Sequence, residues 1–245
     1  MSNRLAIQSF GHGTALVLFH GWGFDSEIWK PLMPDLLNLT AVQQIILVDL
    51  PGFGGSPVMS WTEFKVELLQ QLPQTFILAG WSLGGLFATR LTAEAPDRVR
   101  QLVNIASSPY FIREPNWAGI TPEVLDEFCQ QFQADPQHTR TQFVQAQLPP
   151  DVDHPFEQTA LNEILGLEQG LLVLKQWDLR TALDALKQPV SFMFGRRDSI
   201  VPRRLMPIMQ IRYPHFQYAF LPNAAHIPFL SHPTEFLQTL ESMLC

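Results

Sequence analysis

Short runs of apolar residues alternate along the chain with longer stretches in which apolar positions recur every three or four residues. Six of these runs lack the polar alternation of a half-exposed strand, and such continuity is typical of strands buried on both faces of a parallel sheet. They predict strands at residues 15–20, 44–49, 75–80, 101–106, 189–195 and 217–221. A weaker run predicts a first strand near residues 4–8.

The intervening stretches have the 3.6-residue apolar periodicity of amphipathic helices. They predict helices at residues 27–39, 62–72, 82–95, 203–211 and 233–244. Repetition of strand and then helix predicts a doubly wound, mostly parallel α/β sheet. The repetition stops once, between residues 110 and 186, where helical segments rich in glutamine and acid follow one another. We therefore expect an α/β core of residues 1–109 and 187–245, with residues 110–186 inserted as a helical lid.

Composition narrows the class of protein. The chain has 245 residues, of which 46% are hydrophobic and 16% charged, as expected for a globular domain with an insertion. No apolar segment has the form of a secretory signal or the length of a membrane span, so we expect a cytoplasmic protein. We expect a monomer without nucleic-acid or membrane partners. Cys129 and Cys245 are far apart and lack clustered histidines, so we expect inert thiols and no metal site.

A serine lies where a buried strand should end and a helix begin. Gly80-Trp81-Ser82-Leu83-Gly84 directly follows the apolar run 76–79. This placement is that of the nucleophile elbow of serine hydrolases, in which the turn presents the hydroxyl to substrate. Glycines suit the flanking positions because a side chain there would collide with the strand or the helix. An ordinary tight turn could have the same residues, so other parts of the chain must decide.

Two further polar residues follow predicted strands. Asp198 comes three residues after the strand that ends at Gly195, and His226 comes just past the last strand. Ligands of such sheets bind at the carboxyl ends of the strands, and the order Ser82, Asp198, His226 is the triad order of this architecture. Asp198 could instead be a turn residue paired with its neighbouring arginines.

Two other strand-end residues have a different interpretation. His20 begins the turn His20-Gly21-Trp22-Gly23, which can direct backbone N–H groups at a developing oxyanion. We expect the side chain of His20 to hold that turn. Asp49 precedes the serine along the chain, so we expect it to support a loop rather than act in the triad.

Several segments together resemble the α/β-hydrolase family and, more closely, its methyl ester esterases of biotin synthesis. The similarity lies in His20-Gly21-Trp22-Gly23, Val48-Asp49-Leu50-Pro51-Gly52-Phe53-Gly54, Gly80-Trp81-Ser82-Leu83-Gly84-Gly85, Ile105-Ala106-Ser107-Ser108-Pro109 and Ala224-Ala225-His226-Ile227-Pro228-Phe229. It covers nearly the whole core and weakens inside the lid. It implies a serine carboxylesterase that removes the methyl group from a pimeloyl chain carried on acyl-carrier protein and releases methanol.

The resemblance also implies roles for individual residues. His226 would take the proton of Ser82, while Asp198 would fix the imidazole tautomer. The main-chain N–H groups of Trp22 and Leu83 would bind the oxyanion. No metal or organic cofactor is implied.

Aromatic residues indicate where an acyl chain would bind. Trp22 and Trp81 flank the reacting serine, and further aromatics in or beside the lid are Phe111, Trp117, Phe128, Phe132 and Phe143. They predict an apolar channel for a methylene chain, although each could simply pack the lid onto the core. We expect Trp22, Trp81 and Phe143, which looks like the family's lid aromatic, to contact substrate.

Charge bears on the carrier. Between Tyr110 and Arg180 the chain has eleven acidic and four basic residues, which account for its whole net charge of −7. Acyl-carrier protein is acidic, so this region should repel it except where basic groups intervene. We expect docking at Arg140 and Arg113 and, from a second basic run, at Arg203 and Arg204, although exposed arginines are often merely solvated.

Other functions remain open. A broad small-molecule carboxylesterase would use the same triad and cleave free and carrier-bound esters equally. A lyase of menaquinone synthesis would need basic groups in its pocket for the carboxylates of its substrate. A non-enzymatic binding protein is a further possibility, but Ser82, Asp198 and His226 argue against it, because a pure binder has no need of all three. A dehalogenase is disfavoured because its elbow would have aspartate in place of serine.

Overall fold

A single seven-stranded sheet forms the centre of the computed structural model, which describes residues 4–148 and 161–244. Its strands are β1 (Ile7–Gly11), β2 (Ala15–Phe19), β3 (Gln44–Val48), β4 (Phe76–Trp81), β5 (Val99–Ile105), β6 (Val190–Gly195) and β7 (Gln217–Leu221). Their spatial order is β1-β3-β2-β4-β5-β6-β7. Only β1 runs antiparallel to its neighbour, β3, within the described sheet. The prediction of a mostly parallel, doubly wound α/β sheet is confirmed.

Helices connect the strands as the periodicity predicts. They are α1 (Met33–Leu36), α2 (Trp61–Gln71), α3 (Leu83–Glu94), α4 (Pro122–Ala134), α5 (Pro136–Gln147), α6 (Leu161–Gln176), α7 (Arg180–Asp184), α8 (Leu205–Arg212), α9 (Pro228–Ser231) and α10 (Pro233–Leu244). The start of α2 shows how local sequence sets a boundary. The Ser60 hydroxyl accepts from the Glu63 N–H, and the Glu63 carboxylate accepts from the Ser60 N–H, which forms a capping box.

Two of the predicted elements are wrong in extent. The helix predicted at 27–39 is a 3-10 helix (Ser26–Leu32) followed by the short α1. Pro31 and Pro34 explain the break, because proline has no N–H to donate and its ring crowds the preceding turn. The first strand begins at Ile7 rather than near residue 4. Ile7 pairs with Val48 at the end of β3.

Both faces of the sheet are buried, and the alternation along β2 separates them. Leu16 and Leu18 belong to one core, which is covered by the 3-10 helix, α1, α9 and α10. Val17 and Phe19 belong to the other, which is covered by α2, α3 and α8 and extends to the helices that follow β5. This two-sided burial is the reason that β2 is apolar at every position.

Between β5 and β6 the chain is helical, as expected. Helices α4 to α7 lie there, and the described part of this segment has only isolated β-bridges besides them. Helix α6 meets the loop after β3 at backbone distance, because a Cβ added to Gly166 would lie 2.2 Å from the Gly52 carbonyl oxygen. The division into core and lid, with its boundaries at residues 109 and 187, stays a prediction.

Some expectations fall outside the described residues. These are the part of the predicted lid at residues 149–160, with its acidic residues Asp151, Asp153 and Glu157, and the thiol of Cys245.

The side chain of Cys129 is half-buried, and burial raises the pKa of its thiol. No helix within residues 4–148 and 161–244 combines the length and apolarity that crossing a membrane requires.

Candidate active site

Ser82 occupies a strained turn between β4 and α3. Its φ of 53° and ψ of −118° lie outside the regions that L residues usually adopt. The turn is tight enough to require glycine on both sides. A Cβ on Gly80 would lie 2.3 Å from the Gly84 carbonyl oxygen, and one on Gly84 would lie 2.5 Å from the His20 carbonyl oxygen. This is the geometry of a nucleophile elbow.

Ser82, His226 and Asp198 form one hydrogen-bonded chain. His226 Nδ1 lies 2.8 Å from Asp198 Oδ2, and His226 Nε2 lies 2.9 Å from Ser82 Oγ. Since an ionised carboxylate can only accept, Nδ1 carries the proton and Nε2 is free to accept from the serine hydroxyl. The sequence expectation that these three residues come together agrees with their positions, and their catalytic roles remain proposals.

Backbone groups hold the acid of this chain in place. Asp198 Oδ1 accepts from the N–H groups of Ile200 (2.8 Å) and Val201 (2.9 Å), which leaves Oδ2 for the imidazole. The Asp198 side chain has no solvent exposure, and that of His226 is 2% exposed. The carboxylate is therefore oriented by the turn after β6 as well as by the histidine.

The two residues expected to bind an oxyanion through their backbone N–H groups belong to turns that meet at the serine. Leu83 is the first residue of α3, where an N–H has no acceptor within the helix. Gly21 approaches the serine from β2, since a Cβ on it would lie 3.2 Å from Ser82 Cβ. Trp22 follows in the same turn. This arrangement fits an oxyanion hole of the Trp22 and Leu83 N–H groups, which stays a prediction.

His20 and Asp49 support the turns around the serine. His20 Nε2 accepts from the Leu50 N–H at 2.9 Å, so Nδ1 carries the proton and donates to the Gly21 carbonyl oxygen at 2.9 Å. Burial lowers the pKa of His20, which is consistent with a neutral imidazole. Asp49 accepts from the N–H groups of Ser26 and Gly55 and so ties two loops together.

A cavity of about 340 Å³ opens from Ser82. Besides the serine, its lining is mostly apolar and comprises Trp22, Phe111, Ile120, Thr121, Val124, Leu125, Phe128, Phe143, Leu171, Leu174, Ser199 and Ile200. The Trp22 ring makes edge contacts with Phe143 (5.0 Å between centroids) and Phe128 (5.3 Å). Trp22 and Phe143, two of the three residues expected to contact substrate, thus both line the cavity that opens from Ser82.

Trp81 was expected to contact substrate, but its side chain does not line the cavity. Its side chain is 1% exposed and packs in the core on the other face of the sheet, away from the cavity lining. Its indole N–H donates to the His226 carbonyl oxygen at 2.8 Å. Trp81 therefore supports the loop that carries the histidine.

The other aromatics that were expected to form the acyl channel line the cavity only in part. Of the aromatics in or beside the predicted lid, Phe111, Phe128 and Phe143 line the cavity. Phe132 packs against Trp22 outside the cavity lining, and Trp117 lines a different groove. Leu171 and Leu174 of α6 also line the cavity and were missed. Their three-residue spacing on an amphipathic helix was the available signal.

The four arginines expected to dock a carrier fall into two groups. Arg140 is held in the protein, because its side chain is 11% exposed, donates to the Gly23 carbonyl oxygen at 2.9 Å and lies 3.6 Å from Glu163. Arg113, Arg203 and Arg204 are exposed. No group of three potential metal-ligating side chains occurs in the described part of the chain.

Known proteins share both this fold and much of this sequence. A model of the alpha/beta hydrolase family matches residues 16–239. The pimeloyl-[acyl-carrier protein] methyl ester esterase of Legionella pneumophila (strain Corby) is 45% identical, with 98% of this chain and 99% of the relative covered. The corresponding esterase of Shewanella woodyi is 40% identical, with 100% and 99% covered.

Solved structures agree with the fold. An esterase from Exiguobacterium antarcticum superposes with a TM-score of 0.84 at 21% identity, covering 98% of this chain and 95% of that one. An enol-lactonase from Burkholderia xenovorans does so at 0.81 and 18% identity, covering 98% and 96%. The family match, the relatives and these folds lead to one assignment: the chain belongs to the alpha/beta hydrolase family.

Proposed function

We propose that this protein is a serine carboxylesterase that hydrolyses the methyl ester of pimeloyl-acyl-carrier protein in biotin synthesis. The observation that carries the proposal is the Asp198–His226–Ser82 chain at the base of an apolar cavity. The esterases named for this reaction support it, because they match almost the whole chain.

The contacts suggest how the reaction proceeds. Ser82 Oγ attacks the ester carbonyl as His226 Nε2 takes its proton, and the Trp22 and Leu83 N–H groups stabilise the oxyanion. His226 then gives the proton to the departing methoxide, which leaves as methanol. Water enters and attacks the acyl-enzyme as it gives a proton to His226. The imidazole returns this proton to Ser82 Oγ, and the carboxylic acid that is released ionises to the carboxylate by losing its own proton to solvent.

The cavity also bears on the substrate. Its apolar wall suits a methylene chain, and none of its described lining residues is lysine or arginine. A substrate with several carboxylates would lose hydration there without gaining a cation, which disfavours the lyase of an aromatic carboxylate precursor.

The testing experiment compares cleavage of the pimeloyl methyl ester attached to acyl-carrier protein with cleavage of the free methyl ester. We expect a kcat/KM that strongly favours the carrier-bound ester. Ser82→Ala should lose several orders of magnitude in kcat with either substrate, as is usual for a triad nucleophile.

Ser199→Ala is the matched control, because Ser199 also lines the cavity but is outside the hydrogen-bonded chain. It should keep most of the activity. Equal cleavage of both esters would make the protein a broad carboxylesterase, and an active Ser82→Ala protein would refute the serine mechanism.

A further inference from the structure

A groove on the protein surface combines basic and apolar side chains. Arg113 and Arg204 line it together with Pro202, Ile208 and Ile211, and its volume is about 560 Å³. Ile211 is 83% exposed, the largest exposure among the large hydrophobic residues described. Exposed apolar surface bordered by charge is typical of a site at which another protein binds.

The groove and the active-site cavity share a wall. The chain folds back between Phe111 and Ile120, where the Arg113 N–H donates to the Ile120 carbonyl oxygen and the Ile120 N–H donates to the Phe111 carbonyl oxygen, both at 2.8 Å. Phe111 and Ile120 line the cavity, whereas residues 113–119 line the groove. A single layer of chain therefore separates the two.

The cavity opens on the side of this wall. Val124, at 57% exposure, and the exposed Ser199 are the most accessible residues of its lining. Ser199 and Ile200 of the cavity are followed, after Val201, by Pro202 of the groove. An acyl chain that runs outward from Ser82 thus reaches the surface beside the groove.

The charge around the groove is positive. Arg204 also lines a neighbouring groove with Arg196 and Arg203, which extends the basic surface. Glu114, the acid of the first groove, is paired at 2.8 Å with Arg180, which also binds Asp178. We name the surface formed by Arg113, Arg196, Arg203, Arg204 and Ile211 the basic strip.

The arginines of the basic strip are available in a way that Arg140 is not. Within residues 4–148 and 161–244, Arg113, Arg203 and Arg204 form no ion pair, whereas Arg140 lies against Glu163. A protein with net charge −7 can attract an acidic partner only through such a local concentration of positive charge.

We propose that the basic strip docks the acidic acyl-carrier protein, with Ile211 as its apolar contact, so that the carried chain enters the cavity between Val124 and Ser199. The proposal rests on the proposed function. Arg140 is left with another task, which is to hold α5 against the turn that carries Trp22.

The experiment reverses the charge of the strip in the full chain. The double variant Arg113→Glu/Arg204→Glu is compared with Arg100→Glu, an exposed arginine near the start of β5 and so at the opposite end of the sheet from Ser82. The measured quantity is kcat/KM for the carrier-bound methyl ester divided by kcat/KM for the free ester. The free ester reports on folding of each variant, since it does not require docking.

We expect the double variant to lower this ratio by about tenfold or more, because repulsion at the edge of an interface slows association. Arg100→Glu should leave the ratio within about twofold. If the wild-type protein prefers the carrier-bound ester and the double variant has the same ratio as wild type, the docking site is overturned and the proposed function stays intact. A wild-type protein without carrier preference would overturn both.

A direct measurement of binding separates docking from turnover. In the Ser82→Ala background, carrier bearing the uncleaved ester should bind the double variant more weakly than the Arg100→Glu variant. Ile211→Ser should also weaken binding. Equal dissociation constants for all of these proteins would refute the basic strip as the docking surface.

Discussion

At the scale of single residues, Ser82 has a strained backbone conformation, with a φ of 53°. A non-glycine residue in such a conformation costs about 1–3 kcal/mol, which the surrounding contacts must offset. The neighbouring β4 and α3 impose it, because they meet at Gly80 and Gly84 with no room for a side chain.

Replacing Ser82 by glycine should therefore release strain. Ser82→Ala is the matched control, since both variants lose the hydroxyl and its bond to His226. We expect Ser82→Gly to be more stable than Ser82→Ala by about 1 kcal/mol, once the greater freedom of glycine in the unfolded chain is subtracted. Urea unfolding measures the difference. Equal stability, or a more stable alanine variant, would mean that the turn stores no strain at this residue.

The positions of the three residues of the proposed triad were predictable from sequence. The direction of the Trp81 side chain was not recognised. Ser82, Asp198 and His226 each follow an apolar strand, so their shared edge follows from the parallel topology. Trp81 is adjacent to the serine in sequence, yet it belongs to the core that contains Ile77 and Ala79. The two-residue alternation of β4 contained this information, since consecutive side chains point to opposite faces.

At the scale of elements, helix α6 rests on the loops that surround the serine. Gly170 is the point of contact, because a Cβ there would lie 2.8 Å from Trp22 Cδ1 and 3.1 Å from Leu83 Cδ2. The Trp22 indole N–H also donates to the Leu167 carbonyl oxygen of α6 at 2.8 Å. The helix thus touches both residues of the proposed oxyanion hole.

Gly170→Ala should displace either α6 or these two residues. We expect kcat for a short free ester to fall by about ten- to a hundredfold, because catalytic groups tolerate little misplacement. Gln169→Ala changes the exposed neighbouring position of the same helix and should have little effect. Normal kcat in Gly170→Ala would show that α6 does not position the oxyanion hole.

The elements that sequence predicted best are those whose local signals agree with their packing. Helix α10 matches its prediction, since Pro233 begins it and its apolar face packs under the sheet. The segment 27–39 failed because apolar periodicity was weighed without its two prolines. The approach of α6 to the core depends on contacts between residues more than a hundred positions apart, such as Gly52 and Gly166, and local pattern contains no information on these.

At the scale of the whole molecule, a buried neutral histidine links stability to pH. Burial lowers the pKa of His20 below its ordinary value of 6.5, so the unfolded chain binds a proton there that the folded protein does not. The stability from this group is present above pH 6.5 and is lost as the pH falls below it. The loss is limited to about 1.4 kcal/mol per pH unit for one proton.

His20→Gln tests this link, because an amide can still accept from the Leu50 N–H and donate to the Gly21 carbonyl oxygen. We expect the free energy of unfolding of wild type, minus that of His20→Gln, to decrease as the pH falls from about 7.5 to 5.5, by at most about 1.4 kcal/mol per pH unit. Urea unfolding at each pH measures it. A difference that stays constant over this range would contradict the assignment of the proton to His20.

The sequence predicted the net charge of each region, but not which charged side chains are exposed. The excess of acid was assigned correctly to residues 110–180, but the sequence could not tell which arginines are held inside the protein. Arg140 donates to a carbonyl oxygen and lies against an acid on another helix. Arg113 and Arg204, in contrast, line one groove although they are 91 positions apart in sequence.

The glycine contacts of α6 set a condition for chimaeric enzymes. A segment transplanted from a relative between β5 and β6 would change the cavity wall and with it the preferred acyl chain, while the three triad residues lie outside the exchange. Such a graft would keep its chemistry only if it also brings small residues where Gly166 and Gly170 now lie. Two hydrogen atoms in place of methyl groups thus decide which foreign segments this scaffold can accept.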